Sequence, residues 1–154
     1  MTKKDQHYDI IIVGAGMVGA TLACGLAAAT DSLNIAIIDA NLPNFDWDEK
    51  GYDLRVSAIT RASQSLFKKI GVWDEIVAQR VSPYQDMFVW DAAGKGKVHF
   101  DCADMGEANL GHIIENRVIV KSLYQRIKDF PQIDLLSSTK IENIKFNQEN
   151  THLT

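Results

Sequence analysis

Apolar positions near the N-terminus come in two short unbroken runs with a helical stretch between them. Residues 8–13, "YDIIIV", read as a strand buried on both faces, as in a parallel sheet. Residues 17–29 carry Val18, Leu22 and Leu26 at i, i+4 and i+8, which predicts one helical stripe. After the polar break Thr30-Asp31-Ser32, residues 34–38, "NIAII", read as a second buried strand ending at Asp39. Strand, helix and strand within about 30 residues make a βαβ unit. The fold class expected is α/β, a Rossmann-like domain with a parallel sheet and an inserted β-hairpin.

The pattern then loosens. Residues 40–56, "ANLPNFDWDEKGYDLRV", predict a long loop, and loops of this length are often functional. Residues 58–70 predict a helix with Ala62, Leu66 and Ile70 on one face and Gly71 as its stop. Two short turns follow over 72–79. Residues 84–100 read as a hairpin, "YQDMFVW" and "KVHF" around the turn-rich "DAAGKG". A loop over 101–111 leads to an extended "HII" at 112–114. Residues 117–129 predict a helix with Ile119, Leu123 and Ile127 on one face, stopped by Pro131. "IDLL" (133–136) reads as a third buried strand. "KIENIKF" (140–146) alternates like a strand, "NQEN" turns, and "THLT" starts a return strand.

The turn between the first strand and the first helix carries the chemistry. Gly14-Ala15-Gly16-Met17-Val18-Gly19 is G-x-G-x-x-G. Gly14 permits the tight turn, Gly16 lets the backbone approach a pyrophosphate, and Gly19 lets helix and strand pack closely. The first amides of the helix, around Met17 and Val18, point at the phosphates, whose charge the helix dipole favours. Asp39 follows Gly19 by 20 residues and ends the second strand, where a ribose-binding carboxylate is required. That carboxylate hydrogen-bonds a 2′-hydroxyl and repels a 2′-phosphate, so the site suits FAD or NAD and not NADP. The competing reading is a glycine-rich turn in a generic α/β domain with Asp39 solvated. Arg55 also has two readings, a functional loop arginine or a partner of Asp53 or Glu49. Asn116 is a natural cap for the helix that starts near Arg117. Glu115 reads as a solvated charge.

Composition narrows this little. The chain has 154 residues, 46% of them apolar, enough for one domain with a core. A net charge of −4 gives no electrostatic footprint for nucleic acid. Cys24 and Cys102 make neither a disulfide framework nor a metal pair, and Cys24 reads as a buried small residue. His7, His99, His112 and His152 lack metal-like spacing. Trp47, Trp73 and Trp90 with Phe88 read as packing groups. Ser57 and Ser63 lack the setting of a nucleophile, and spacing alone names no catalytic acid–base pair. No signal peptide or membrane span is expected.

Two later segments carry a resemblance. "DLRVSAIT" (53–60) and "GHIIENRVIVKSL" (111–123), in this order after the glycine motif, resemble the flavin-dependent aromatic hydroxylases. The nearest subgroup is the ubiquinone-biosynthesis hydroxylases, which act on polyprenylated phenols. The resemblance implies FAD on the glycine loop and Asp39, Arg55 near the flavin's pyrophosphate side, and Asn116 at the ribityl chain with Arg117 beside it. It implies ring hydroxylation driven by NAD(P)H and O2 without a separate nicotinamide domain. It also implies a polyprenylated phenol as substrate and a ubiquinone-synthesis protein complex as a possible setting. Members run to twice this length or more, and two of their later FAD motifs and most of the substrate sheet are absent. Residues 1–154 are therefore expected to be an incomplete N-terminal FAD/NAD(P)-binding domain, weak in FAD binding and inactive alone. A cytoplasmic location is expected, peripheral at the inner membrane, with membrane contact only through the missing half. Two other functions stay open: a nucleotide-binding or assembly module without chemistry, and an NAD-linked dehydrogenase domain.

Overall fold

The computed structural model describes residues 6–47, 51–148 and 150–154. The chain divides into two compact units, residues 1–47 with 123–154, and residues 48–122.

The first unit is built on a parallel sheet. Strand β1 (Ile10–Val13) leads through helix α1 (Met17–Ala29) to β2 (Ile35–Ile38). β2 lies in the centre, paired in parallel with β1 on one side and with a late strand, Ile133–Leu136, on the other. All four residues of β2 are buried, as a central strand covered on both faces should be. Gln132 ties the end of α1 to this late strand. Its side-chain amide donates to the carbonyls of Ala27 and Thr30 at 3.2 and 3.4 Å, taking acceptors the helix leaves unpaired. The last residues, Ile144–Phe146 and Thr151–Leu153, form the antiparallel hairpin expected around "NQEN", with its first strand starting later than residue 140.

Helix α1 runs over the predicted residues but buries a different face. Val18 is 78% exposed and Leu22 is also exposed, whereas Ala20, Ala23, Cys24 and Ala27 are buried. The reason is distance. A helix that starts against the end of its own strand can turn only small side chains inward, so the larger apolar residues face out. Cys24 sits fully buried on this small-residue face, its Sγ 4.0 Å from the Leu123 carbonyl. Burial pushes its thiol up from 9.0 to about 11. Above pH 9 the unfolded chain releases this proton while the folded chain keeps it, so stability falls between pH 9 and about 11. The loss is on the order of 3 kcal/mol. Urea titrations at about pH 8 and about pH 10.5 should show this fall in the wild type, and Cys24→Ala should lack that component. Equal pH dependence in both proteins would count against it.

The second unit holds two small antiparallel sheets. Strands β3 (Val56–Thr60) and β4 (Ser82–Tyr84) flank a strand at Gly111–Glu115. The helix predicted over 58–70 is therefore a strand followed by a shorter helix, α2 (Arg61–Lys69). Val56, Ile59 and Thr60 are β-branched and find a pairing partner in Gly111–Glu115, which outweighs the helical spacing. Thr60 then caps α2, its Oγ1 accepting from the Ser63 amide at 3.3 Å. Within α2 the buried positions are Gln64 and Phe67, with Ile70 just beyond, while Ala62 and Leu66 are exposed. The region 72–79 is one helix, α3 (Trp73–Gln79).

The predicted hairpin forms from Asp86–Trp90 and Lys97–Asp101. Its aromatic residues are not core. Phe88 is 64% and Trp90 71% exposed, and Phe88 instead stacks on His99 with ring centres 4.0 Å apart. Trp73 does pack: it is buried and meets His112 edge-on at 5.1 Å. A final helix, α4 (Asn116–Ile127), carries Ile119, Leu123 and Ile127 into the interior as its spacing predicts.

Candidate nucleotide-binding site

In the first unit, the predicted residues converge where the sheet strands end and α1 begins. Gly14 has φ +101°, a conformation that L side chains rarely adopt, and its N–H donates to the Ile38 carbonyl at 2.8 Å. Gly16 is extended (φ −67°, ψ −176°) and sits at the N-terminus of α1, where no side chain caps the helix. The first-turn amides there, from Met17 through Gly19, have no carbonyl partner within their own helix. A Cβ built on Gly16 would meet nothing within 4 Å, so the space beside this backbone is open. A Cβ on Gly19 would overlap the Gly14 carbonyl oxygen, which shows how closely the helix returns to the turn.

Asp39 closes this arrangement. Its Oδ2 accepts from the Ala15 amide at 2.7 Å and its Oδ1 accepts from the Asn41 amide at 2.8 Å. One carboxylate thus joins the glycine turn to the end of β2. Each oxygen of an ionised carboxylate accepts about two hydrogen bonds. One position on each oxygen therefore remains for a diol such as a ribose edge. An uncapped helix start, open space over Gly16 and a half-satisfied acidic group fit the phosphates and ribose of a dinucleotide.

Tyr124 was not visible as a site neighbour from its spacing. It projects from α4, is buried, and meets Phe45 edge-on at 5.2 Å. Its hydroxyl has no hydrogen-bond partner among the described residues. Burial, and then the negative charge of Asp39, push the phenol up, so it stays a neutral donor.

Arg55 and Asn116 lie in the second unit and are joined there. The Asn116 amide donates to the Arg55 carbonyl at 2.9 Å. The Asn116 side-chain oxygen accepts from Ser57 Oγ at 2.6 Å. The Arg55 amide donates to Asp53 Oδ1 at 3.0 Å, so Asp53 serves the backbone of Arg55. Glu49, the other partner considered for Arg55, lies outside the described residues.

Glu115 corrects its expected role. It is 5% exposed, not solvated, and two arginines surround it. Oε2 accepts from Arg117 Nε at 2.8 Å and from the Asp53 amide at 2.8 Å, and Oε1 lies 3.0 Å from Arg80 Nε. Periodicity hides this cluster because Arg80 and Asp53 come from distant parts of the sequence. His112, from the same "GHIIENR" segment, is held below its ordinary range by burial and by the charges of Arg61 and Lys68. It acts as a neutral packing ring against Trp73. Among the described residues, no cluster of His, Cys, Asp and Glu is placed to hold a metal, and no helix is long and apolar enough to cross a membrane.

Comparisons with known proteins agree with this geometry. No family model matches the chain. The mitochondrial ubiquinone biosynthesis monooxygenase COQ6 of Dictyostelium discoideum is 33% identical over 98% of this chain and 33% of its own length. The 3-demethoxyubiquinol 3-hydroxylase of Escherichia coli is 37% identical over 85% of this chain and 33% of its own length. The chain thus spans about a third of the relatives it matches. In fold it is similar to the flavin-dependent monooxygenase PieE, solved with FAD and substrate. The TM-score is 0.71 at 12% identity, covering 97% of this chain and 27% of that one. The p-nitrophenol 4-monooxygenase PnpA of Pseudomonas putida gives a TM-score of 0.68 at 14% identity, over 94% and 35%.

Proposed function

We propose, starting from this chain's homology to about a third of the ubiquinone-biosynthesis monooxygenases, that it forms the FAD-binding part of such an enzyme. The whole protein would hydroxylate the aromatic ring of a polyprenylated phenol, with NAD(P)H and O2 as co-substrates. When bound, the flavin supplies the redox chemistry, and the protein binds it, orients it and excludes water.

Each residue has a defined part in that binding. Gly14 makes the turn, and Gly16 leaves room for the pyrophosphate against the backbone. The amides of Met17, Val18 and Gly19 donate to phosphate oxygens at the helix start. Asp39 accepts from the adenosine ribose while it holds the Ala15 amide. Arg55 and Asn116 take the roles that the family resemblance gives them, toward the pyrophosphate side and the ribityl chain. The observation that carries the reading is the Asp39–Ala15 hydrogen bond, which sets a half-satisfied carboxylate at the glycine turn.

The test is a visible absorption spectrum of the purified chain before and after FAD addition and desalting. The wild type is expected to shift the flavin bands while FAD is present and, binding weakly, to lose most of the flavin on desalting. In Asp39→Asn the new amide group faces one of two backbone N–H donors, and the ribose loses an anionic acceptor. FAD affinity should fall at least roughly tenfold, since an unpaired buried donor costs about 1–3 kcal/mol. A well-folded monomer that leaves the spectrum of added FAD unchanged would sink the proposal. Selective retention of NAD would favour the dehydrogenase reading instead.

A further inference from the structure

Glu115 does more than neutralise two arginines. Arg80 and Arg117 both donate to the Gly51 carbonyl, at 3.2 and 2.6 Å. The Arg80 guanidinium also lies 4.3 Å over the Tyr52 ring, and Glu115 itself takes the Asp53 amide. Residues 51–53 are thus held at a carbonyl, a ring and an amide, all through groups that converge on one buried carboxylate. From Asp53 the hydrogen bonds run on to Arg55, and from the Arg55 carbonyl to Asn116, the residue after Glu115. The path closes on itself.

We infer that Glu115 is a positioning residue: it locks segment 51–55 so that Arg55 and Asn116 are held together for the roles proposed above. The inference rests on the FAD reading above. Ordering this loop before the ligand arrives raises affinity because less freedom is lost on binding.

Charge and geometry predict opposite results at this position, which makes the test decisive. The formal charges of Glu115, Arg80 and Arg117 are −1, +1 and +1, and Glu115→Gln removes the negative one. If the cluster mattered only as positive charge, FAD and its phosphates would bind more tightly to that variant. If Glu115 positions the loop, FAD binds more weakly, because the NH2 group that Glu115→Gln introduces replaces the carboxylate oxygen facing Arg80 and ends that ion pair.

The experiment compares wild type, Glu115→Gln and Glu115→Asp by titration with FAD and with AMP, and by amide hydrogen exchange. AMP reports the glycine turn and Asp39 without the flavin end. Glu115→Gln should bind FAD roughly tenfold more weakly, bind AMP unchanged, and lose exchange protection at Asp53, Arg55 and Asn116. Glu115→Asp, which keeps the charge on a shorter arm, should recover part of the FAD affinity. Unchanged or tighter FAD binding by Glu115→Gln would overturn the inference. So would a parallel loss of FAD, AMP and thermal stability, which marks general loosening. A wild type that binds AMP but not FAD would overturn the cofactor reading, while the exchange data still decide whether the clamp exists. If Glu115→Gln does not fold, Arg80→Lys carries the test: it keeps the positive charge but loses the planar stack on Tyr52 and the fork between Gly51 and Glu115, so charge alone predicts unchanged FAD binding and positioning predicts weaker binding.

Discussion

Gly19→Ala should destabilise the first unit severely and abolish nucleotide binding with it. The added methyl would lie inside contact distance of the Gly14 carbonyl oxygen, and 3.2 Å from both the Gly14 carbonyl carbon and Ile12 Cγ2. Two effects compete. Alanine favours a helix over glycine by about 0.8–1 kcal/mol. Overpacking costs about 1–3 kcal/mol, and more where the neighbour cannot yield. Here the neighbour is backbone at a turn whose φ of +101° is already demanding, and that turn is tied to Ile38 by the Gly14 amide. The overlap therefore wins: a cost at the top of that range or somewhat above it, less the helix gain, leaves a net loss of about 2 kcal/mol, a sizeable share of a domain's usual 5–15. Thermal melts followed by circular dichroism should show a drop on the order of 5–10 °C. A melting temperature within a degree or two of wild type would mean that the helix slides off the turn at little cost, and the close approach would lose its meaning.

Gly16→Val should do the opposite: keep the fold and lose the ligand. Gly16 has an extended backbone that any residue adopts, and its Cβ direction is empty. The cost to stability should be modest, about 1 kcal/mol, because Val is a poorer N-cap than Gly. The same empty space is where the proposed pyrophosphate approaches the backbone, and two methyl groups would fill it. FAD affinity should fall on the order of 100-fold, about 2.7 kcal/mol. Fluorescence titration with FAD, beside a thermal melt, separates the two quantities. Wild-type affinity in Gly16→Val would place the phosphates elsewhere. Together the two glycine variants divide the motif into a residue that builds the turn and a residue that leaves room on it.

Much of this site was legible because its logic is local. The turn, the helix start and the ends of two adjacent strands lie within residues 8–39, so spacing alone brings Gly14, Gly16, Gly19 and Asp39 into one place. The central strand in "NIAII" announces itself through an unbroken apolar run, whereas "IDLL" forms the strand expected but buries only Ile133. The hairpins over 84–101 and 144–153 follow from turn residues between alternating segments.

Other features depended on partners that periodicity does not show. Val18 and Leu22 look like a core stripe, but the closeness of α1 to its own turn leaves room only for the alanine and cysteine face. Residues 58–60 read as the start of the helix over 58–70, but a facing strand at Gly111–Glu115 makes them part of β3. The exposed Phe88 and Trp90 follow the hairpin pattern and still find no core.

Glu115 shows the boundary between the two kinds of information most clearly. By sequence it is one charge among many, flanked by an arginine. Burial raises the cost of that charge, and Arg80, Arg117 and the Asp53 amide meet the cost from sites 2 to 62 residues away. The sequence by itself determined the βαβ unit and its dinucleotide turn, because helix and strand periods and glycine spacing act over a few residues. Only the tertiary structure decided which helix face is core, which aromatics stay in solvent and which carboxylate becomes an anchor, because desolvation and packing are set by neighbours that the chain brings together only on folding.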